Sequence, residues 1–406
     1  MSKPRSEALV TLDLGTSKTC VMVSEVRDGL VHYLGHGLVE SAGMRKGAVV
    51  NLEAATESIK RAAEQAERSS GVPVERVFMS LGGAHVRGLA SQAGISLASR
   101  SREITREDTR RVLELARAIP VPDDREILHV LPQDYILDNQ PGFHDPIGML
   151  ASRLETRVYI VTVATGAKQN LVVAANQAGL EVEELIFTPL AVAEASLRTE
   201  DRSLGVAVIE VGGGCTGLAV FSQNAVTHAG VIPVGGDHFT NDIAIAFNTP
   251  HREAEKIKCA FGFAAASYVQ AGSQIEVPSV GDRAARMLPH RELCECIEPR
   301  AQELVRLIQE DLRRAGVLGT LGAGVLLSGG GSRLAGFPEM MESLLGLPVR
   351  PVAPALIQEM PDKLGDPEFA FALGATYYGH RVRARRARPK SAWQKAVEQL
   401  KRLAAD

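Results

Sequence analysis

The stretch ALVTLDLGTSKTCVMVSEV, residues 8–26, reads as two β-rich runs (8–14 and 20–26) joined by Gly15-Thr16-Ser17-Lys18. Residues 205–221, GVAVIEVGGGCTGLAVF, repeat the plan: a strand, an acid, one residue, glycine, a tight turn and a second strand. Asp13 stands two residues before Gly15, and Glu210 two before Gly212. Glycines in such turns let backbone N–H groups point inward and form a nest for phosphate oxygens. Lys18 can neutralise phosphate charge. The leading acids suit a Mg²⁺ ion that keeps its water shell. One such hairpin alone would be as well explained by a tight turn. Two at matching places in two halves of a chain point to a pair that grips phosphate from both sides.

Two further features complete the pattern. Ser328-Gly329-Gly330-Gly331-Ser332 follows a strand, where glycine admits close approach of a ligand. Glu255 and Lys258 are spaced i,i+3 on a predicted helix, so their polar ends share one face, an arrangement that by itself is usually a solvated pair. In order and kind these pieces resemble the actin/Hsp70/sugar-kinase superfamily. The resemblance implies two α/β lobes closing on ATP and Mg²⁺. It places Asp13, Gly15, Thr16 and Lys18 on one side of the phosphates and Gly212, Gly213 and Gly214 on the other, with Asp13 and Glu210 reaching the metal through water. Glu255, Lys258, Gly329, Gly330 and Gly331 would meet the adenosine.

Composition narrows the setting. The 406 residues allow two or three domains. A formal net charge of −3 argues against nucleic acid as a partner for the body of the protein. Five cysteines show no framework spacing, and the Cys294-x-Cys296 pair lacks companions for a metal site, so reduced thiols are expected. No signal-peptide pattern and no apolar window of about 20 residues occurs. The expectation is a cytoplasmic protein whose membrane contact, if any, lies on the surface.

Along the chain, Asn51 is the expected N-cap of a helix with the stripe Leu52, Ala55, Ile59, Ala62 and Ala66, stopped by Gly71. Residues 84–162 differ in texture: a Thr105-x-x-Asp108 helix start, a helix to Ala118, then Pro-flanked strands at 127–131 and 135–137. This reads as a small α+β module inserted into strand–helix alternation, which itself implies an α/β sheet. A long helix is expected from about 288 to 315.

Residues 47–53 with the helix they open, residues 77–83, 128–135 (LHVLPQDY) and 185–187, the strand into Glu210-Val-Gly-Gly-Gly, EVPSVG at 276–281 and IEPR at 297–300 are together similar to the bacterial cell-division family FtsA. The similarity runs in register from about residue 8 to 380. It implies an α/β, actin-like two-lobed fold with an inserted subdomain 1C in place of actin's 1B, plus a C-terminal amphipathic helix. The boundaries that follow are lobe 1 at 1–83 and 163–200, the insert at 84–162, lobe 2 at 201–365, a return to lobe 1 at 366–380, a basic linker at 381–392 and a membrane-targeting helix at 393–406. The resemblance further implies self-association into filaments at the inner face of the cytoplasmic membrane, at the division septum. It implies anchoring of the tubulin-like FtsZ and recruitment of later division proteins through the insert. Glu298 and Arg300 fall near the family's FtsZ surface, and a structural ion pair at a helix start explains them equally well.

Residues 381–406 carry nine basic side chains against Glu398 and Asp406. From Trp393 onward, Trp393, Val397 and Leu400 fall on one helical face, widened by Leu403, with Lys401 and Arg402 off the stripe. A tryptophan opposite basic residues suits the headgroup boundary of anionic lipid. The competing reading is a terminal helix docked on its own core.

Three residues depart from the superfamily pattern: Glu210 where aspartate is usual, Cys215 where threonine is usual, and Gly217 where many ATPases carry another aspartate. The resemblance therefore implies ATP binding with slow or negligible hydrolysis. An active ATPase or kinase of the same superfamily, and a pilus-assembly protein of the PilM type, are the alternatives.

Overall fold

The computed structural model describes residues 8–98, 101–281 and 284–387. Two five-stranded sheets built to one plan organise it. In the first, Leu9–Leu14 pairs antiparallel with Lys18–Arg27, which pairs antiparallel with Leu30–Glu40; on its other side Leu9–Leu14 runs parallel to Arg76–Leu81, followed by Glu181–Phe187. The second sheet repeats this with Val206–Val211 at its centre. Thr216–Ser222 and Ala225–Ile232 lie antiparallel on one side, Val325–Ser328 and Val349–Pro351 parallel on the other. The central strands are buried on both faces and largely apolar, as strands covered by helices are, and each is broken near its C-terminal end by one acid, Asp13 or Glu210.

Local signals held where they were strong. Asn51 accepts from the Ala54 N–H at 3.0 Å and caps the helix Leu52–Ser70, which Gly71 ends in the left-handed region. Ala55, Ile59, Ala62 and Ala66 are buried on it. Thr105 and Asp108 form a reciprocal capping box at the helix Arg106–Arg117. Asp108 is also gripped by both Nη atoms of Arg102, at 2.7 and 2.8 Å, and that guanidinium holds its carboxyl well below the usual carboxylate range. Thr105→Ala is expected to cost about 1 kcal/mol of stability, checked by urea denaturation.

The insert forms a four-stranded antiparallel sheet, ordered Gln140–Phe143, Arg125–Leu137, Arg153–Ala164, Val86–Ser96, covered by the Arg106–Arg117 helix. The two Pro-flanked strands expected at 127–131 and 135–137 are one strand. Pro132, which cannot donate to a ladder, sits at a register shift where Gln133 is the extra residue. The bulge turns the Gln133 side chain toward the second sheet, where it donates to the Val226 carbonyl at 2.8 Å. Tyr159 meets His228 there, hydroxyl to Nδ1 at 3.2 Å, and His228 Nε2 lies 2.7 Å from Asp311. The insert is thus fastened to the edge strand of the second lobe as well as continuous with the first.

The helix Ala370–Ala387 packs along Thr188–Ser196 and returns the chain to the first sheet. It runs seven residues into the stretch 381–392 that composition alone assigned to a linker. The reason is charge pairing: Arg381 meets Glu194 at 2.8 Å, Arg386 meets Glu184 at 3.0 Å, and Arg383 meets Glu183 while donating to the Ala8 carbonyl at 2.8 Å. The amphipathic tail residues Trp393, Val397, Leu400, Lys401, Arg402 and Leu403 lie outside the described residues. No helix among the described residues is long and apolar enough to cross a membrane.

Candidate nucleotide site

Both hairpins close with the same bond. Gly15 N–H donates to the Lys18 carbonyl and Gly212 N–H to the Cys215 carbonyl, each at 2.9 Å. They face each other across a cleft of about 510 Å³ and meet at their tips. A side chain on Gly214 would strike Thr16 Oγ1, only 2.5 Å from where its Cβ would stand. All thirteen residues assigned from sequence to the nucleotide line this one cleft: Asp13, Gly15, Thr16 and Lys18; Glu210, Gly212, Gly213 and Gly214; Glu255 and Lys258; Gly329, Gly330 and Gly331.

The floor carries the acids. Desolvation raises Asp13, partly offset by the Lys18 charge and a hydrogen bond from Ser80. Glu210 is pushed up to about 7, chiefly by burial and further by Asp13, against a hydrogen bond from Thr188 and the charge of Lys18. Two carboxylates held against their ionised form are short of positive charge. Among the described residues no group of three or more His, Cys, Asp or Glu is placed to hold a metal directly. Two buried carboxylates beside the hairpins suit a Mg²⁺ ion that keeps its water shell. Asp13 and Glu210 are the residues that would hold it.

Glu255 and Lys258 are not a solvated surface pair. Their ends lie 2.6 Å apart, with Lys258 only 13% exposed although Glu255 is 43% exposed. Lys258 also donates to the Gly236 carbonyl at 3.1 Å and to Thr240 at 2.9 Å, and Thr240 bonds Glu255 in turn. Burial alone would raise Glu255, but Lys258 and these hydrogen bonds bring it below its ordinary value.

Sequence reasoning missed several lining residues. Asp237 lies in the first turn of the helix Gly236–Ala246, which is stitched to the second hairpin by Gly236 N–H to Gly212 O at 2.9 Å and Asp237 N–H to Gly213 O at 2.8 Å. The Gly235-Gly236-Asp237 turn after a strand was the available signal. Burial raises Asp237 as it does the floor acids. Phe263, Leu334 and Ala335 supply an apolar wall on the Lys258 side; nothing local marks them, because they come together only in the fold. Cys215 is also in the lining, its thiol pushed up to about 12 by burial and by Glu210.

Gly217 proves to have no room for a carboxylate. It pairs across the hairpin with Glu210, and a Cβ there would lie 2.9 Å from Cγ of Pro189 at the start of the Thr188–Ser196 helix. Glu298 and Arg300 lie elsewhere. They sit within the helix His290–Arg314, not at its start, and do not pair with each other. Glu298 accepts from the Ala266 N–H at 3.0 Å, while Arg300 makes a two-point contact with Asp242 at 2.7 and 3.1 Å and also meets Glu303.

Two duplicated sheets, a phosphate-type hairpin from each and a cleft between them define an actin-like fold. Solved structures agree on the fold: a PilM–PilN type IV pilus biogenesis complex gives a TM-score of 0.66 at 20% identity, covering 93% of this chain and 99% of that one. MreB5 of Spiroplasma citri bound to ADP gives 0.57 at 14%, covering 95% and 100%. Family models for cell division protein FtsA and for the SHS2 domain inserted in FtsA match residues 207–374 and 83–162. Curated cell division proteins FtsA from Pseudomonas aeruginosa, Escherichia coli (strain K12) and Bacillus subtilis are 40%, 37% and 32% identical over 372, 380 and 376 residues. The alignments cover 91%, 91% and 93% of this chain and 89%, 90% and 84% of those proteins. This chain belongs to the FtsA family of cell-division proteins, and the insert is its SHS2 domain. The pilus alternative retains only the shared fold.

Proposed function

We propose that the cleft binds ATP with Mg²⁺, and that the bound nucleotide governs assembly of the protein into filaments on the inner face of the cytoplasmic membrane. The observation that carries this is the meeting of two glycine hairpins, with paired carboxylates beneath them, at the junction of two duplicated lobes. Nest N–H groups and Lys18 take the phosphates, Asp13 and Glu210 hold water on the metal, and the Phe263–Leu334 wall with Glu255 and Lys258 takes the adenosine. When bound, Mg²⁺ supplies charge neutralisation to the phosphates. Hydrolysis is slow or negligible in this reading, because Pro189 fills the position beside Gly217 where another carboxylate would orient water.

The filament anchors FtsZ and recruits later division proteins through the SHS2 domain, as the family resemblance implies, with Glu298 and Arg300 near the FtsZ surface. Residues 393–406 tether it to anionic lipid. Because Arg381, Arg383 and Arg386 are engaged by lobe carboxylates, the tether's charge falls mainly to the basic residues beyond the Ala370–Ala387 helix: Arg388, Lys390, Lys395, Lys401 and Arg402. At about 1 kcal/mol per basic residue near the surface, one tail binds weakly and a row of tails on a filament binds strongly. Co-sedimentation with anionic vesicles and purified FtsZ tests this. Full-length protein with ATP and Mg²⁺ is expected to carry FtsZ to the vesicles, and protein truncated after Arg388 is expected to leave both in solution. Equal lipid binding by the truncated protein would sink the tether; lipid binding without FtsZ would sink the anchor. Turnover of many ATP per second by pure protein would sink the slow-hydrolysis reading.

A further inference from the structure

The phosphate-facing lysine is already engaged by a carboxylate that the hairpin motif does not include. Lys18 Nζ donates to the backbone carbonyl of Glu368 and lies 3.6 Å from its carboxylate, with the Phe369 ring beneath it at 3.9 Å from the centroid. The other oxygen of that carboxylate accepts from Arg333 at 2.8 Å, and Arg333 also reaches Asp366 at 3.2 Å. Glu368 Oε2 stands 3.9 Å from where a Cβ on Gly330 would lie, so it rests against the third glycine cluster. Lys18, Glu368 and Arg333 all line the nucleotide cleft. They come from three separate segments: the first hairpin, the return segment Pro367–Phe369, and the turn Gly330–Arg333 of the second lobe.

We propose that Glu368 sets the cleft's preference among nucleotides by competing with their phosphates for Lys18. A phosphate oxygen that accepts a hydrogen bond from Lys18 shares the ammonium with the Glu368 carbonyl and carboxylate, and it brings negative charge toward that carboxylate. Both effects work against ligands in proportion to their phosphate charge and leave the adenosine contacts untouched. A repulsive element of this kind shapes specificity as directly as an attractive one. Glu368 displaced from Lys18 keeps Arg333 as its partner, in a return segment that Gly329 N–H and Ser328 already bond through the Pro367 carbonyl.

The inference rests on the nucleotide reading above, and the test separates the two. Calorimetric titration of full-length wild type, Glu368→Gln and Glu368→Asp with ATP, ADP and adenosine, in Mg²⁺, measures each affinity. Glu368→Gln is expected to tighten ATP by roughly fivefold to tenfold and ADP by less, with adenosine unchanged within about twofold. Glu368→Asp keeps the charge on a shorter stem and is expected to fall between. Equal shifts for ATP and adenosine, or weaker ATP binding in a folded Glu368→Gln protein, would overturn the competition. Should Glu368→Gln fail to fold, Glu368→Asp decides on the same ratio of ATP to adenosine. A wild type that binds none of the three ligands would overturn the nucleotide reading and this inference with it.

Discussion

Glu210→Gln is expected to stabilise the protein above pH 7 in the absence of nucleotide and Mg²⁺, and to weaken ATP binding in their presence. Burial lifts Glu210 from 4.5 to about 7, so the fold prefers it protonated. The stability from that preference is fully present below pH 4.5 and is lost as the pH rises toward 7. The loss is on the order of 3 kcal/mol at about 1.4 kcal/mol per pKa unit. Glutamine mimics the protonated form and keeps the Thr188 hydrogen bond within reach. The variant and the wild type should therefore unfold alike near pH 4 and diverge as the pH rises to 8. With ATP and Mg²⁺ the order is expected to reverse, because the carboxylate that costs stability alone is the one proposed to hold metal-bound water. A loss of roughly tenfold or more in ATP affinity is expected. Chemical denaturation at pH 4.5 and 8, with and without Mg·ATP, checks both halves. A stability difference that does not change with pH would refute the argument.

Gly374→Val is expected to be strongly damaging to the described core. Gly374 lies on the helix Ala370–Ala387 where it crosses Thr188–Ser196, and a Cβ there would stand 1.8 Å from the Ala191 carbonyl oxygen and 2.3 Å from its carbon. The obstacle is helix backbone, which cannot rotate aside as a side chain can. Ala191, Val192, Ala372 and Ala375 around it are buried, so the helices must part and leave voids. Overpacking of this kind costs roughly 3 kcal/mol at the upper end of its usual range. The damage reaches the cleft, because the displaced helix carries Thr188, which bonds Glu210, and Pro189, which covers Gly217. A fall in melting temperature of roughly 5 °C or more is expected, together with weaker ATP binding. A variant that melts with the wild type and binds ATP normally would show that this crossing does not set the cleft.

The two predictions differ in how far the sequence exposes them. Glu210 announces itself by standing two residues before a glycine turn, in step with Asp13. Its raised pKa does not, since that comes from burial beside Asp13 on a shared floor. Gly374 sits in an Ala- and Gly-rich helix without any motif, and only the carbonyl of Ala191, far away in the chain, gives it meaning. The same division runs through the cleft. The hairpin glycines and acids are local, because a phosphate nest needs a particular backbone turn written in consecutive residues. Phe263, Leu334, Asp237 and Glu368 are contributed one at a time by elements that meet across the cleft.

Read alone, the sequence determined the duplicated strand–turn–strand plan, the helix caps at Asn51 and Thr105, the presence of an inserted module and the family resemblance. These rest on spacing along the chain: residues that act within one turn or one strand must be neighbours in sequence. Only the tertiary structure decided that Arg125–Leu137 is one strand bulged at Gln133, that Arg381, Arg383 and Arg386 belong to a docked helix, and that Arg300 serves Asp242. It alone placed Pro189 against Gly217 and Glu368 against Lys18. Each of those outcomes depends on burial, close approach or charge pairing between segments far apart in sequence, and periodicity and composition carry no record of which distant partner will arrive.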